Sequence, residues 1–471
     1  MPERPLDIYL VAIGGTGMAP LACLLKDAGH RVRGVDGPLY PPMSTLLASA
    51  GIEPLVGYAP VHLEARPDLV VIGNAVPRSN VEALETERLE IPFCSMPQAL
   101  GRFFLADRRP LVVAGTHGKT TTTSIAAWVY SACGRDPGYL IGGVPVDLGR
   151  SFAAGSGERF ILEGDEYNAA YFDRGPKFLH YRAETLILTS NEHDHVDLYP
   201  SPESLTAAFA ELVRQLPASG LLIACGDSEP VRALAEEAGC EVVFYGLGDG
   251  NDVRPEGEPS LEADGSRFTI ADPEAGAVEI ELQLAGRHNL MNAIAVWVAA
   301  RRDGLAAADV ARALGRFRGV QRRMEEVGSA AGVTVVDDFA HHPTAVGETL
   351  LALRQRYPER RLVVAFEPRS LTAGRQFLFD AYLDAFRAAD VVHLAPIFHA
   401  ERLGPDERLD RGLLVEELGR VGVEAHAHLS IDRLVGEAVS GSAAGDVFVT
   451  MSSGAFEDAG RRVLAHLADA D

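Results

Sequence analysis

Lysine is nearly missing from this chain. Among 471 residues only Lys26, Lys119 and Lys177 are lysines, and arginine supplies the rest of the basic charge. Any step that needs a lysine amine has three candidates. Positive charge as a whole is in deficit, with 43 basic against 66 acidic residues and a net charge of −23. That argues against nucleic acid or an anionic membrane surface as the main partner. A small anionic substrate stays allowed, because a site needs only a local cluster of donors. Cysteine is sparse as well. Cys23, Cys94, Cys133, Cys225 and Cys240 are dispersed and contain no CxxC pair, the pattern of reduced, buried thiols in a cytoplasm. Long apolar runs are lacking too. The first one, residues 8–13, follows Glu3 and is too short and wrongly flanked for a signal peptide, and no stretch reaches spanning length. A cytoplasmic protein without membrane insertion is the expectation; oligomeric state is not legible.

What is present is enough chain for about three domains, with 47% hydrophobic residues to build their cores and no need for disulfide staples. No internal repeat appears. The first hundred residues alternate strand and helix signals: an apolar run at 8–13, the turn Gly14-Gly15-Thr16-Gly17, an apolar-periodic segment from Met18 to Ala28, a second strand at 31–35 and then Asp36. This is a βαβ unit whose glycine turn and helix start suit a phosphate-bearing ligand, although G-G-x-G is not the dinucleotide fingerprint. Strand 69–72 leads into Gly73-Asn74. Arg108-Arg109-Pro110 reads as a linker. Residues 246–275 read as edge loops or hairpins, and a boundary falls near 319–326. Beyond it, strand-like runs at 333–336, 362–366, 391–394 and 447–451 alternate with helical segments as a further α/β domain.

The strongest chemical signal is Gly115-Thr116-His117-Gly118-Lys119-Thr120-Thr121, directly after an apolar strand. Strand, glycine loop, Gly-Lys-Thr and helix make a phosphate cradle in which Lys119 reaches the terminal phosphates and the Thr120 hydroxyl suits Mg²⁺. The loop is two residues shorter than the strict P-loop pattern, since Val113 stands where its first glycine would be. Two strand ends add Glu163-Gly164-Asp165-Glu166 and Glu192-His193-Asp194-His195-Val196-Asp197. Acids and histidines at the carboxyl ends of parallel strands sit where ligands bind. Together with the phosphate loop they suggest an ATP and divalent-metal site; zinc is an alternative, with hard oxygen donors favouring Mg²⁺. Asn289 and Asn292, after His288, share a helix face and suit an adenine edge, or else act as helix caps. Arg322-Arg323 lies at the domain boundary, either carrying a cation onto a phosphate on closure or forming a solvated face. Asp337-Asp338-Phe339-Ala340-His341-His342-Pro343 and Phe366-Glu367-Pro368-Arg369-Ser370 are strand-end loops suited to a polar, charged substrate.

In this order the motifs resemble the Mur ligase family over nearly the whole chain: the phosphate loop, Glu163, Asp194-His195, His288-Asn289 with Asn292, Arg323 and Asp338. The resemblance implies an α/β protein of three domains: a Rossmann-like UDP-sugar-binding domain (1–107), a P-loop-type central ATPase domain (108–320) and a Rossmann-like C-terminal peptide-binding domain (321–471). It implies an ATP- and Mg²⁺-dependent ligase that activates the lactyl carboxylate of UDP-N-acetylmuramate as an acyl phosphate. Pro41-Pro42-Met43-Ser44-Thr45, Asp165-Glu166-Tyr167, Phe172-Asp173 with Lys177-Phe178 and Phe366 to Ser370 point to the branch that accepts a murein peptide, L-Ala-γ-D-Glu-meso-diaminopimelate, in peptidoglycan recycling. Free L-alanine is the alternative acceptor, and a phosphate-loop kinase without amide formation the alternative class. By the same resemblance Lys119, Glu163, His195 and Arg323 are catalytic, and Thr120, Glu163 and His195 hold metal. Gly115, Thr116, His117, Gly118, Lys119, Thr120, Thr121, His288, Asn289, Asn292, Arg323 and Asp338 bind ATP. Gly14, Gly15, Thr16, Gly17, Met18, Asp36 and Asn74 face the UDP-sugar, and His341 and Arg369 the peptide. Many members of the family bridge metals with a carbamylated lysine after the Asp-His motif; here no lysine follows Lys177.

Overall fold

A computed structural model describes residues 4–469; Glu3 lies outside them. The first βαβ unit extends into a parallel sheet of β1 (Asp7–Val11), β2 (Arg31–Asp36), β3 (Leu55–Val56), β4 (Leu69–Ile72) and β5 (Phe93–Ser95), ordered β3-β2-β1-β4-β5. β4 is buried along its length and β1 at all but its first residue, which is why both read as unbroken apolar runs. The strand order reverses at β1, so the glycine loop after it lies at the switch point where ligands bind.

The second sheet contains β6 (Arg109–Ala114), β7 (Gly138–Leu140), β8 (Phe152–Ala153) and β9 (Arg159–Glu163). A hairpin, β10 (Asn168–Ala170) with β11 (Asp173–Pro176), stands outside it. β12 (Thr185–Leu188), β13 (Leu221–Cys225) and β14 (Glu241–Tyr245) complete the order β14-β13-β12-β6-β9-β7-β8, in which β8 runs antiparallel. β6 lies between β12 and β9, again at a reversal, and feeds the Lys119–Ala132 helix. Arg109 and Pro110 prove to be strand rather than linker. Pro110 is only the second residue of β6 and keeps its carbonyl, which accepts the Glu184 amide at 3.0 Å.

The 246–275 segment is more regular than its composition suggests. β15 (Ser260–Glu262), β16 (Gly265–Asp272) and β17 (Gly276–Leu282) form an antiparallel meander. The last sheet contains β18 (Glu325–Ala330), β19 (Val333–Asp338), β20 (Leu362–Phe366), β21 (Val391–Leu394), β22 (Glu424–Ala427) and β23 (Val447–Met451), ordered β18-β19-β23-β20-β21-β22 with β18 antiparallel.

One continuous apolar cluster runs from Ile8 in the first sheet to Leu188 and Trp297 around the second. The third sheet has clusters of its own on its two faces, around Leu350 and Phe386 on one and Leu434 and Val463 on the other. The C-terminal body therefore meets the rest mainly through polar contacts, the kind of interface that permits relative motion. All five cysteines are free; only Cys23 and Cys225 are buried, the other three being half-buried, so the expectation of uniformly buried thiols is corrected. Among the described residues no helix is long and apolar enough to cross a membrane.

Candidate active site

The phosphate loop bends through two glycines with left-handed φ, Gly115 at +127° and Gly118 at +80°. A side chain is excluded at both: a Cβ would lie 2.2 Å from Thr189 Oγ1 at the first and 2.9 Å from Asn292 Oδ1 at the second. The amides of Thr116 and His117 donate to Ser190, to its carbonyl at 3.3 Å and its hydroxyl at 2.9 Å. The helix begins at Lys119, directly after Gly118. Lys119 Nζ folds back to donate to the Gly115 carbonyl at 2.7 Å, the Thr116 carbonyl at 3.2 Å and Glu166 Oε1 at 2.9 Å. Burial pulls the ammonium down, but the Glu166, Glu163 and Asp165 carboxylates outweigh it and hold its pKa above the ordinary value.

On the next residue, Thr120 Oγ1 donates to Glu163 Oε1 at 2.9 Å and accepts from Arg323 at 3.1 Å. Thr121 follows on the same turn, half-buried. Glu163 Oε2 also accepts the Gly142 amide at 2.8 Å. Glu166, 2% exposed, is the acid that motif reading passed over for a site role. Its Oε1 takes both Lys119 and His195 Nε2, the latter at 3.0 Å, while Oε2 is buried without a partner among the described residues. Burial alone would raise this carboxyl; Lys119 and His195 outweigh it and place it well below the usual carboxylate range. Burial works against a charged His195, yet the Glu166 hydrogen bond and Asp194 raise its pKa above 6.5. His195 itself sits at φ +52°, a strained setting for a non-glycine residue. The sequence signals for Glu166 were its place three residues after Glu163, at the end of a buried strand, and its part in the Asp165-Glu166-Tyr167 motif.

Asn289 and Asn292 lie inside the Arg287–Arg302 helix, so they are not caps. Asn289 Nδ2 donates to the Ala285 carbonyl at 2.7 Å, and Asn292 presses its amide against Gly118, its Nδ2 buried and unpaired among the described residues. His288 Nδ1 lies 3.6 Å from Glu348 Oε2, beyond hydrogen-bonding distance. Of the arginine pair, Arg322 is structural: it bonds Asp337 and the Ser452 and Gly454 carbonyls. Arg323 turns the other way, to Thr120, with its guanidinium over the Phe339 ring. Asp338 is 4% exposed and accepts the Met324 and Ala340 amides, both at 2.7 Å, fixing the segment that carries Arg323. Its side-chain hydrogen bonds among the described residues go to Met324, Ala340 and Thr349 rather than to the phosphate loop.

In the N-terminal domain a 590 Å³ cleft is lined by Gly14, Gly15, Asp36, residues 38–43, Tyr58, residues 75–77 and Asn80. Three of the expected sugar-nucleotide residues line it. Asp36 is already engaged, accepting from the Gly14 amide at 2.7 Å and the Tyr58 hydroxyl at 3.2 Å, so it braces the glycine loop. Asn74 is exposed beside the cleft and Met18 is core, while Thr16 is exposed and Gly17 half-buried on the turn before Met18.

His341 follows β19 and Arg369 follows β20; β23 separates these two strands, and its end supplies Ser452 to Gly454. His341 Nε2 stands 3.7 Å from Asp194 Oδ2 across the domain junction. Arg369 lies over the Phe398 ring at 3.8 Å and 3.4 Å from Glu367. Gly454 gives it room: a Cβ there would fall 1.9 Å from Arg369 Nε.

Comparison with known proteins agrees with this architecture. The family models for the Mur ligase family catalytic domain, the Mur ligase middle domain and the Mur ligase glutamate ligase domain match residues 7–108, 113–300 and 322–454. The chain is 39% identical to the UDP-N-acetylmuramate–L-alanyl-γ-D-glutamyl-meso-2,6-diaminoheptandioate ligase of Escherichia coli, over 98% of both chains. It is 37% identical to the UDP-N-acetylmuramate–L-alanine ligase of Acidithiobacillus ferrooxidans, over 84% of this chain and 83% of that one. Among solved structures, a murein peptide ligase from Psychrobacter arcticus superposes with a TM-score of 0.73 at 32% identity, covering 98% of this chain and 99% of that one.

Proposed function

The chain belongs to the Mur ligase family of ATP-dependent amide-forming ligases, and from that premise we propose that it joins the lactyl carboxylate of UDP-N-acetylmuramate to the amine of L-Ala-γ-D-Glu-meso-diaminopimelate. The full-length likeness to the Escherichia coli peptide ligase carries the choice of acceptor over free L-alanine. The observation that carries the chemistry is the convergence of Lys119, Glu163, Glu166, His195 and Arg323 on one phosphate loop. On this reading the chain divides at 107/108 and 320/321 into sugar-nucleotide, nucleotide and peptide domains, and acts in the cytoplasm.

Mg²⁺ fits the residues present. Glu163 and Thr120 supply hard oxygens beside the phosphate loop, and the buried, unpaired Glu166 Oε2 is an acceptor without a donor. Thr120, Glu163 and His195 would hold it, and when bound it offsets charge on the transferring phosphoryl group. The chain's residues do the rest. The loop and the start of the Lys119–Ala132 helix cradle the polyphosphate of the substrate ATP, with Asn289 and Asn292 toward its base. Lys119 and Arg323 flank the phosphoryl group as the lactyl carboxylate takes it, giving an acyl phosphate and ADP. The peptide amine, oriented by His341 and Arg369, then displaces phosphate to form the amide. Arg323 and Asp338 hold the C-terminal domain against the loop, excluding water that would hydrolyse the acyl phosphate. The deciding assay supplies ATP, Mg²⁺ and UDP-N-acetylmuramate, offers tripeptide or L-alanine in turn, and weighs the products. A tripeptide adduct supports the reading; an alanine adduct alone moves the chain to the alanine ligases, and no amide with either amine rejects it.

A further inference from the structure

His117, Glu192 and His342 meet where the phosphate loop touches the start of the Pro343–Arg356 helix. His117 Nε2 lies 3.2 Å and His342 Nδ1 3.7 Å from one oxygen, Glu192 Oε2. The two imidazole rings are tilted, with centroids 4.7 Å apart. All three donor atoms lie within 4.8 Å of one another, and the two histidine–carboxylate distances approach the roughly 3.3 Å between tetrahedral corners around a small cation with bonds of about 2 Å. Two further observations separate this group from an incidental polar contact. His342 is 7% exposed, and its Nδ1 is buried without a hydrogen-bond partner among the described residues, although it points at the cluster. Glu192 Oε2 also accepts the Thr344 hydroxyl at 2.6 Å, which fixes the carboxylate through the kind of hydrogen bond that ligating carboxylates commonly accept. Neither Glu192 nor His342 has a part in the ligation chemistry above.

We propose that His117, Glu192 and His342 form a site for a first-row transition cation of the zinc class, with two imidazoles, one carboxylate and one open position. The donor set selects for this class, because Mg²⁺ prefers oxygen ligands and water while imidazole suits Zn²⁺ and its neighbours. The site is distinct from the oxygen-rich group at Thr120, Glu163 and Glu166. His117 and Glu192 belong to the central sheet's loops and His342 to the C-terminal body. A cation held by all three ties the two together over the phosphate loop. It resists the reopening that product release requires, so a micromolar transition metal acts as a brake on turnover even when Mg²⁺ is saturating.

The test uses the full-length protein, stripped with chelator and titrated with Co²⁺ in excess Mg²⁺. The expected result is the visible absorption of tetrahedral Co²⁺, saturating at one equivalent, displaced by Zn²⁺, with turnover falling as the band grows. His342→Ala loses the band. Thr344→Val, which removes only the support behind Glu192, weakens cation affinity by about 10- to 100-fold, and carries the test if His342→Ala does not fold. His393→Phe, which disrupts the separate His393–His428 pair, leaves the band in place. No tetrahedral absorption, a band unchanged by both His342→Ala and Thr344→Val, or one abolished by His393→Phe overturns the site. A band that grows without slowing turnover overturns the brake.

Discussion

Lys119 and Glu166 form a buried ion pair at 2.9 Å, and the acid's same oxygen holds His195 at 3.0 Å. The lysine is thereby kept charged and aimed at its own loop, and the histidine is held against the same carboxylate. Lys119→Ala is expected to abolish ADP release that depends on both substrates, measured by coupled assay; near-normal turnover would reject the assignment. Glu166→Gln leaves a buried ammonium without its counter-charge. Breaking a buried pair costs about 3–5 kcal/mol, so this variant should unfold at lower denaturant in equilibrium urea titrations as well as lose activity.

Among the described residues Arg323 reaches the phosphate loop through a hydrogen bond to Thr120. Arg323→Ala should lower kcat by about a hundred- to a thousand-fold, the usual cost of one lost donor to a charge-developing centre. Steady-state kinetics should show the loss mainly in kcat; a change confined to the KM for UDP-N-acetylmuramate would contradict it. Arg322→Ala acts differently, because that guanidinium ties Asp337 to the Ser452 and Gly454 carbonyls. It should appear first as lost thermal stability.

Gly454→Ala tests the peptide side. The added methyl cannot share space with the Arg369 guanidinium, which must swing off the Phe398 ring. The expected outcome is an acceptor KM raised about tenfold, with stability changed by less than about 1 kcal/mol, since a flexible side chain yields more cheaply than backbone. An unaltered acceptor KM would remove Arg369 from the peptide site.

Two buried histidines of the C-terminal sheet set an acid limit. Burial first, then His428 and His426, push His393 down to about 4, and burial lowers His428 also. Their folded pKa values are depressed, so the unfolded chain binds protons first. Stability is full above about pH 6.5 and is lost as pH falls toward 4, by at most about 3 kcal/mol from His393. Urea denaturation at pH 7 and pH 5 should show the decline in the native chain and a flatter profile in His393→Phe.

Much of the frame was legible because buried parallel strands read as short apolar runs. β4, β20, β21 and β23 carry the bounds that their residues suggested. Where local composition competed with tertiary pairing, reading failed. Arg109-Pro110 looks like a linker, yet β9 and the Glu184 amide hold it as strand. The 260–282 meander is rich in turn-formers but closes into a sheet by cross-strand pairing. The site was legible in its motif residues and less so in their partners. Glu166 shares a tetrapeptide with Glu163, and which acid meets Lys119 depends on how the chain turns after β9. The meeting of His117 with His342, 225 positions apart, leaves no trace in spacing.

The Thr120 hydroxyl is a shared resource: it already serves Glu163 and Arg323 at once. Arg323 belongs to the segment that joins the central and C-terminal bodies, so whatever draws that hydroxyl also acts on the joint. Nucleotide affinity and interdomain geometry are then two readings of one coupling free energy, and the coupling is reciprocal. The factor by which closure of the joint tightens nucleotide binding equals the factor by which nucleotide favours closure, and a substitution that holds the joint open forfeits at most that factor. Measured together, the two factors amount to a thermodynamic ruler laid across a single hydrogen bond.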